Sequence, residues 1–169
     1  MKLHIGGETK KEGWKVLNIQ PGLFVDYIGD IRDLSQFDDN SIEEIYASHV
    51  LEHIEQNQTL EALKGIFRVL KKNGKFYVSV PDLDILCRMF IHKEATSKIK
   101  FDVMRMIFGG QIDKYDFHYF GWNFEFLNDY LTKTGFSKIE KVETFNLFKD
   151  TSELKFYGSY ISLNLIAYK

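Results

Sequence analysis

The stretch with the clearest chemical capacity is "SHVLEHI", residues 48–54, in which His49, Glu52 and His53 form an H-x-x-E-H string. On a helix, this spacing would place two imidazoles on one face beside a carboxylate, as in a zinc hydrolase. The preceding "IEEIYAS" is typical of a strand that runs into His49, so the two histidines need not share a helical face. We therefore predict no metal site and keep a zinc hydrolase only as a less favoured alternative.

A second stretch, "FGGQIDKYDFHYFGW" (residues 108–122), combines aromatic rings with amide, carboxylate and imidazole groups. Aromatic faces beside such polar groups suit a polar ring such as a sugar, and the paired glycines would permit a hinge. The alternative is a packed surface loop whose aromatic side chains cover the sheet. The substrate-binding candidates in this stretch are Gln111, Asp116 and Trp122, and His118 is a candidate catalytic residue.

The elements that must position these residues are short apolar runs that end at glycine, proline or aspartate, a pattern that favours strands. Five strands precede residue 83, and several of them end in small or polar residues. Because ligands of α/β sheets bind beyond the carboxyl ends of the strands, we expect these residues to line one edge. They are Gly6, Gly7, Asn18, Asp30, Ser48, His49 and Asp82.

Two amphipathic helices are predicted with defined ends. The first covers residues 59–74, with Thr59 as N-cap and Gly74 as the left-handed stop, and the second covers 123–135 with Gly135 as its stop. Two strands without a long helix between them finish the chain and are expected to pair antiparallel. The order of elements predicts an α/β fold with a mixed, mainly parallel sheet and an antiparallel C-terminal hairpin.

Composition limits the partners. The chain has 169 residues, 22 Lys plus Arg against 24 Asp plus Glu, and a net charge of −2, so we expect neither nucleic acid nor an acidic membrane as partner. A single cysteine, Cys87, excludes an internal disulfide and a four-sulfur zinc site. No apolar run approaches the length of a membrane span, and "MKLHIGGETKKEGW" lacks the apolar core of a signal peptide. A cytoplasmic protein is the expectation.

The order of these motifs resembles a class I, Rossmann-like, S-adenosylmethionine-dependent methyltransferase over most of the chain. "LHIGG" resembles the family's first strand and glycine turn, and "GDIRDLSQFDDNSIEEIYASHVLEHI" is similar to its third strand, acidic loop and fourth strand. "RVLKKNGKFYVSVPD" resembles the helix, glycine stop and fifth strand. The resemblance implies S-adenosyl-L-methionine as cofactor and one methyltransferase-like domain over residues 1–169, with 82–121 as a substrate-side insertion.

The resemblance also implies roles for individual residues. Gly6 and Gly7 would let the backbone approach the methionine part of the cofactor. Asn18 stands where the family usually carries an acid for the ribose hydroxyls. Asp30 would accept a hydrogen bond from the adenine amine, and Ile31 would pack on the ring.

Ser48 and His49 would lie beside the sulfonium and its methyl group. The expected reaction is methyl transfer to a hydroxyl of a small polar molecule or sugar. His53 and His118 are the candidate bases, because imidazole accepts a proton at neutral pH, and Asp82 is an orienting group.

The chain departs from the family in its length. Only six residues separate Gly7 from Trp14, and Pro21 to Phe24 are equally too few for a helix, so the first helices of the full methyltransferase fold are missing. This departure keeps open a degenerate methyltransferase fold that binds a ligand or partner without catalysis. The apolar face left by the missing helices also suggests a homo-oligomer.

Overall fold

The computed structural model describes residues Met1–Lys169 and contains one large sheet. Seven strands form this sheet in the spatial order β3-β2-β1-β4-β5-β9-β6, and β7 and β8 form a separate two-stranded ribbon. The strands are β1 (Lys2–Ile5), β2 (Trp14–Asn18), β3 (Tyr27–Ile28), β4 (Ile42–Ser48), β5 (Leu70–Pro81), β6 (Lys138–Val142), β7 (Lys155–Phe156), β8 (Ser159–Tyr160) and β9 (Ser162–Tyr168).

The predicted fold class is confirmed. The first five strands pair in parallel, whereas β9 pairs antiparallel with both β5 and β6. The carboxyl ends of β1, β2 and β4 therefore meet at one edge of the sheet, which is where an α/β fold binds its ligands. The sheet is mixed and Rossmann-like.

Four α-helices are present, and none lies between β1 and β2 or between β2 and β3, as the short connections predicted. None of these helices combines the length and the apolar character needed to cross a membrane. The helices are α1 (Gln56–Val69), α2 (Leu83–Ile91), α3 (Ser97–Phe108) and α4 (Phe124–Thr134).

The predicted ends of the first helix are wrong. Helix α1 begins after Glu55, and the Thr59 hydroxyl lies within its first turns and donates to the Glu55 carbonyl. The helix ends before Leu70, because this fully buried side chain leaves the helix and pairs with Ile42 in the sheet. The left-handed residue that follows is Asn73 (φ 64°), not Gly74.

The helix after the aromatic loop has the predicted ends. The Asn123 side chain accepts a hydrogen bond from the Phe126 backbone N–H, which caps the first turn of α4. Gly135 ends the helix in the left-handed conformation (φ 116°). Helices α1 and α4 bury Leu63, Leu127 and other apolar side chains against one face of the sheet, and this packing forms the main core.

The opposite face of the sheet is covered by a loop segment, residues 143–161. Phe148 from this segment packs against Trp14 on β2 and Tyr46 on β4, and Phe145 packs against Tyr77 on β5. The Tyr46 hydroxyl donates to Asp150 at 2.8 Å, which fixes the segment on the sheet. The segment therefore occupies the face from which the first helices are missing.

His4 lies in this second cluster, and its imidazole is almost completely buried. Its ring centroid is 4.2 Å from that of Phe148 and 5.0 Å from that of Tyr46, and Nδ1 has no hydrogen-bond partner. Burial lowers the pKa of His4 to about 4, although the negative charge of Asp150 opposes this change.

We predict that this histidine makes the protein less stable in acid. The unfolded chain binds a proton on His4 below its ordinary pKa of 6.5, and the folded protein does so only below about 4. The stability contributed by neutral His4 is therefore complete above pH 6.5 and falls by about 3 kcal/mol as the pH drops to about 4. His4→Leu should remove this part of the pH dependence of urea unfolding, and the exposed-site control His92→Ala should retain it. An unchanged slope in His4→Leu would contradict the assignment.

Candidate functional site

A cavity of about 360 Å³ lies at the carboxyl ends of β1, β2 and β4. Its walls come from the turn after β1, the end of β2, the segment after β3, the turn after β4 and the aromatic loop. The lining residues are Ile5, Gly6, Glu8, Leu17, Asn18, Ile19, Gln20, Gly29, Asp30, Ile31, Arg32, His49, Val50, His53, Ile54, Glu55, Lys114, Tyr115 and Tyr119.

A second cavity of about 640 Å³ lies between α2, α3 and the β7–β8 ribbon. It is larger, but none of its lining residues comes from the carboxyl ends of the parallel strands. The position of the first cavity at those ends makes it the candidate site.

The glycine turn after β1 is held by hydrogen bonds to β2. Gly6 has a φ of 76° and donates its N–H to the Leu17 carbonyl, and a Cβ on Gly6 would lie 2.6 Å from Val50 Cγ2. Gly7 does not line the cavity, and a Cβ there would lie 2.5 Å from His4 Nδ1. Gly6 thus forms part of the cavity wall, while Gly7 is needed for packing against His4.

Asn18 lines the cavity, but both functions of its amide are engaged within the protein. Its Nδ2 donates to the Gly7 carbonyl at 3.0 Å, and its Oδ1 accepts from the Gln20 N–H at 2.9 Å. The side chain therefore ties the end of β2 to the glycine turn. A ribose hydroxyl could reach the remaining lone pair of Oδ1 or the second N–H of Nδ2.

Asp30 and Ile31 form the wall beyond β3. The Asp30 carboxylate accepts from the Arg32 backbone N–H at 2.9 Å and from its guanidinium, so that Arg32 faces the same cavity. Partial burial raises the pKa of Asp30, but the hydrogen bonds and charge of Arg32 outweigh this effect and hold it below its ordinary value. Asp30 is therefore ionised at neutral pH.

The chain turns sharply after β4. His49 adopts a left-handed conformation (φ 54°), its Nε2 lies 2.8 Å from Ser162 Oγ, and its Nδ1 lies 3.3 Å from Glu52 Oε1. Ser48 does not line the cavity, because its hydroxyl donates to Asp150 on the other side of the sheet. Of this predicted pair, the structure brings only His49 to the cavity.

The aromatic loop joins the turn that follows β4. Residues 51–53 form one short 3₁₀ turn, and the Glu52 carbonyl accepts a hydrogen bond from the Tyr119 N–H at 2.8 Å. His53 Nδ1 lies 3.1 Å from the Phe117 carbonyl oxygen, and the ring centroids of His53 and His118 are 4.7 Å apart. Two stretches that are distant in the sequence thus form one corner of the site.

Glu52 lies at the centre of this corner. Its side chain is 1 % exposed, and neither carboxylate oxygen has a hydrogen-bond partner of good geometry, although His49 is close. Burial alone would raise the pKa of Glu52. The interactions with His49, His53 and His118 outweigh burial, so the pKa lies below its ordinary value. Burial lowers the pKa of His118, and the charge of Glu52 only partly opposes this.

Five other predicted site residues do not line the cavity, namely Asp82, Gln111, Asp116, His118 and Trp122. Asp82 is buried and caps α2 by accepting from the Asp84 and Ile85 N–H groups. Trp122 is fully buried in the main core, where its ring packs against neighbouring aromatic rings. Gln111 and Asp116 stabilise the loop itself, through the Phe108 carbonyl and the Ile112 N–H respectively.

Four charged residues of the cavity were not predicted, namely Glu8, Arg32, Glu55 and Lys114. Arg32 follows Asp30 by two residues, so the "DIR" sequence could have indicated the pair. Lys114 lies in the aromatic loop, and its Nζ lies 4.7 Å from the Tyr115 ring centroid. Nothing in the sequence indicates that Glu55, at the start of α1, faces the cavity.

Residues 8–78 match the model of the methyltransferase domain family. This segment includes the second to fourth strands, helix α1 and most of the first cavity's lining residues. No curated protein sequence matches the chain.

Solved structures share the architecture over nearly the whole chain. An S-adenosylmethionine-dependent methyltransferase from Archaeoglobus fulgidus has a TM-score of 0.65 and 17 % identity, over 99 % of this chain and 85 % of the other. One from Thermotoga maritima, described as a possible histamine N-methyltransferase, has a TM-score of 0.64 and 21 % identity, over 99 % and 81 %. A Haloferax volcanii protein in complex with the Trm112 methyltransferase activator has a TM-score of 0.57 and 13 % identity, over 99 % and 81 %.

These findings agree with a mixed, mainly parallel sheet of the Rossmann-like methyltransferase type. The first two of these solved structures are described as S-adenosylmethionine-dependent enzymes, and the comparisons favour neither the zinc hydrolase nor the non-catalytic alternative. The chain has the fold of the class I S-adenosylmethionine-dependent methyltransferases, and residues 8–78 carry the sequence pattern of their methyltransferase domain.

Proposed function

We propose that this protein transfers the methyl group of S-adenosylmethionine to a hydroxyl of a small polar molecule or sugar. The observation that carries the proposal is the cavity at the carboxyl ends of β1, β2 and β4, most of whose walls lie in the segment that matches the methyltransferase domain. The cofactor supplies an activated methyl group on a sulfonium. The protein must hold it, exclude water and manage one proton.

The cavity offers distinct groups at its two ends. Asp30 is ionised and accepts hydrogen bonds, so it can receive one from the adenine amine while Ile31 contacts the ring. Gly6 and Glu8 lie at the other end. Gly6 permits close approach of the methionine part of the cofactor, and the Glu8 carboxylate suits the ammonium group of that part. His49, which follows β4, lines the same cavity and would face the sulfonium.

The acceptor side is formed by the aromatic loop. Tyr115, Tyr119 and Lys114 line the same cavity, and their rings and ammonium group suit a polar, hydroxyl-bearing molecule. We assign residues 82–121 as the substrate-side part of a single domain. The predicted contacts from Gln111, Asp116 and Trp122 have no support from the geometry, since these side chains do not line the cavity.

Proton removal is assigned to the histidine pair, His53 and His118. His53 lines the cavity, and His118 lies directly behind it with ring centroids 4.7 Å apart. Transfer forms a bond between the acceptor oxygen and the methyl carbon and breaks the carbon–sulfur bond. The hydroxyl proton must leave in the same reaction, and a neutral imidazole can accept it.

We also propose that the protein self-associates. Leu23 is 89 % exposed and Ile28 is 64 % exposed beside the edge strand β3, where the missing helices would have covered apolar surface. A second copy of the chain is the proposed cover, in line with the sequence expectation of a homo-oligomer.

The first prediction from this proposal concerns cofactor affinity. Hydrogen bonds to charged groups contribute about 1.5–3 kcal/mol, so Asp30→Ala should weaken S-adenosylhomocysteine binding about 10- to 100-fold in isothermal titration. Asp33→Ala is the matched control, because Asp33 is close in sequence but bonds to the Ser35 N–H outside the cavity. Absence of heat from wild-type protein with millimolar S-adenosylmethionine or S-adenosylhomocysteine would end the methyltransferase proposal and favour the non-catalytic one.

The second prediction concerns turnover. In an assay of S-adenosylhomocysteine release with a panel of hydroxyl acceptors, His53→Ala or His118→Ala should lower turnover by roughly 10²–10⁴-fold. Nucleotide affinity should change little, and the distant His92→Ala should retain full activity. Wild-type turnover in both site variants would show that neither imidazole takes part in proton removal.

A further inference from the structure

Three potential metal ligands converge beside the cavity. One ligand atom each from Glu52, His53 and His118 lies within 4.8 Å of the other two. Ligand atoms around a tetrahedral zinc ion lie about 3.4 Å apart, because each is about 2.1 Å from the metal. Ion binding therefore requires these separations to shorten toward about 3.4 Å.

The carboxylate is the group that most needs a cation. Glu52 is 1 % exposed, and neither of its oxygens makes a hydrogen bond of good geometry. Its neighbour within ion-pair range is His49, whose Nδ1 lies 3.3 Å from Oε1. A buried carboxylate is unfavourable unless its oxygens are hydrogen-bonded, paired or coordinate a metal, and the contact with His49 leaves Oε2 without a partner.

The orientation of His53 fits a ligand. A carbonyl oxygen only accepts hydrogen bonds, so the contact with Phe117 requires the proton of His53 to be on Nδ1. The neutral ring then carries its lone pair on Nε2. Donation of the other ring N–H to a backbone carbonyl is the usual support of a metal-bound histidine.

We propose that Glu52, His53 and His118 bind one divalent transition-metal ion, with Zn²⁺ as the probe ion, at the inner wall of the cavity. Two imidazoles and one carboxylate suit such an ion and leave at least one coordination position open. No metal site was predicted from the sequence, because the third ligand, His118, comes from the loop between α3 and α4. Only the folded chain brings it to the turn that contains the H-x-x-E-H string.

The ion's role rests on the proposed methyl transfer, whereas its binding does not. His53 lines the cavity, so the open position would take the acceptor hydroxyl. A bound cation lowers the pKa of such an oxygen, and the released proton passes to solvent as the oxygen bonds to the methyl carbon and the carbon–sulfur bond breaks. His53 and His118 then act as ligands, and the ion acidifies the hydroxyl in place of a free imidazole base.

The test is a Zn²⁺ titration of the full chain after removal of metals by chelation and dialysis, without nucleotide. We expect one equivalent of bound Zn²⁺ by calorimetry and by elemental analysis. Removal of a group that only hydrogen-bonds to a metal ligand costs about 10–100-fold in metal affinity. Glu52→Gln and His118→Ala remove ligands themselves, so each should weaken Zn²⁺ binding at least tenfold. His92→Ala, at an exposed histidine outside both this cluster and the first cavity, should bind as wild type.

Two results would overturn the proposal: no binding of Zn²⁺ to the wild-type protein, or binding that survives both Glu52→Gln and His118→Ala. S-adenosylhomocysteine titration of the same variants checks that each remains folded. Because the two titrations are separate, failure of Zn²⁺ binding leaves the methyltransferase proposal intact, and failure of nucleotide binding leaves the metal site intact.

Discussion

The hydrogen bond from the Tyr119 N–H to the Glu52 carbonyl joins the two parts of this molecule that make its site. It holds the aromatic loop against the turn after β4, where the buried Glu52 and the rings of His53 and His118 lie close together. The sheet provides the strand-end walls of the cavity without this contact. The proposed acceptor side, the histidine pair and the proposed three-ligand cluster all depend on it.

In a sheet that lacks its first helices, another part of the chain must cover the face on which those helices normally pack. Here residues 143–161 do so, with Phe148 packed on Trp14 and Tyr46 and with Asp150 bound to the Tyr46 hydroxyl. This explains how a chain without its first helices keeps the strand ends aligned. Leu23 and Ile28 are exposed apolar residues at the edge strand β3, and this is the surface where we propose that a second copy binds.

The sequence allowed the sheet, its mixed topology and the missing helices to be predicted, because strand periodicity and connection length are local properties. The ends of α1 were mispredicted, because burial of Leu70 against Ile42 overrides the local signal of Gly74. Gly6, Asn18, Asp30 and His49, which were expected at the strand-end edge, line the cavity together with Ile31 and His53, and their roles stay predictions. Trp122 and His118 depend on tertiary contacts across the loop, which local spacing does not encode.

A crystal structure with S-adenosylhomocysteine is the most direct test of whether the cavity at the carboxyl ends of β1, β2 and β4 holds the nucleotide. We expect density with the adenine beside Asp30 and Ile31 and the sulfur toward His49 and His53. Nucleotide found instead in the cavity between α2, α3 and the β7–β8 ribbon, with the strand-end cavity empty, would contradict it.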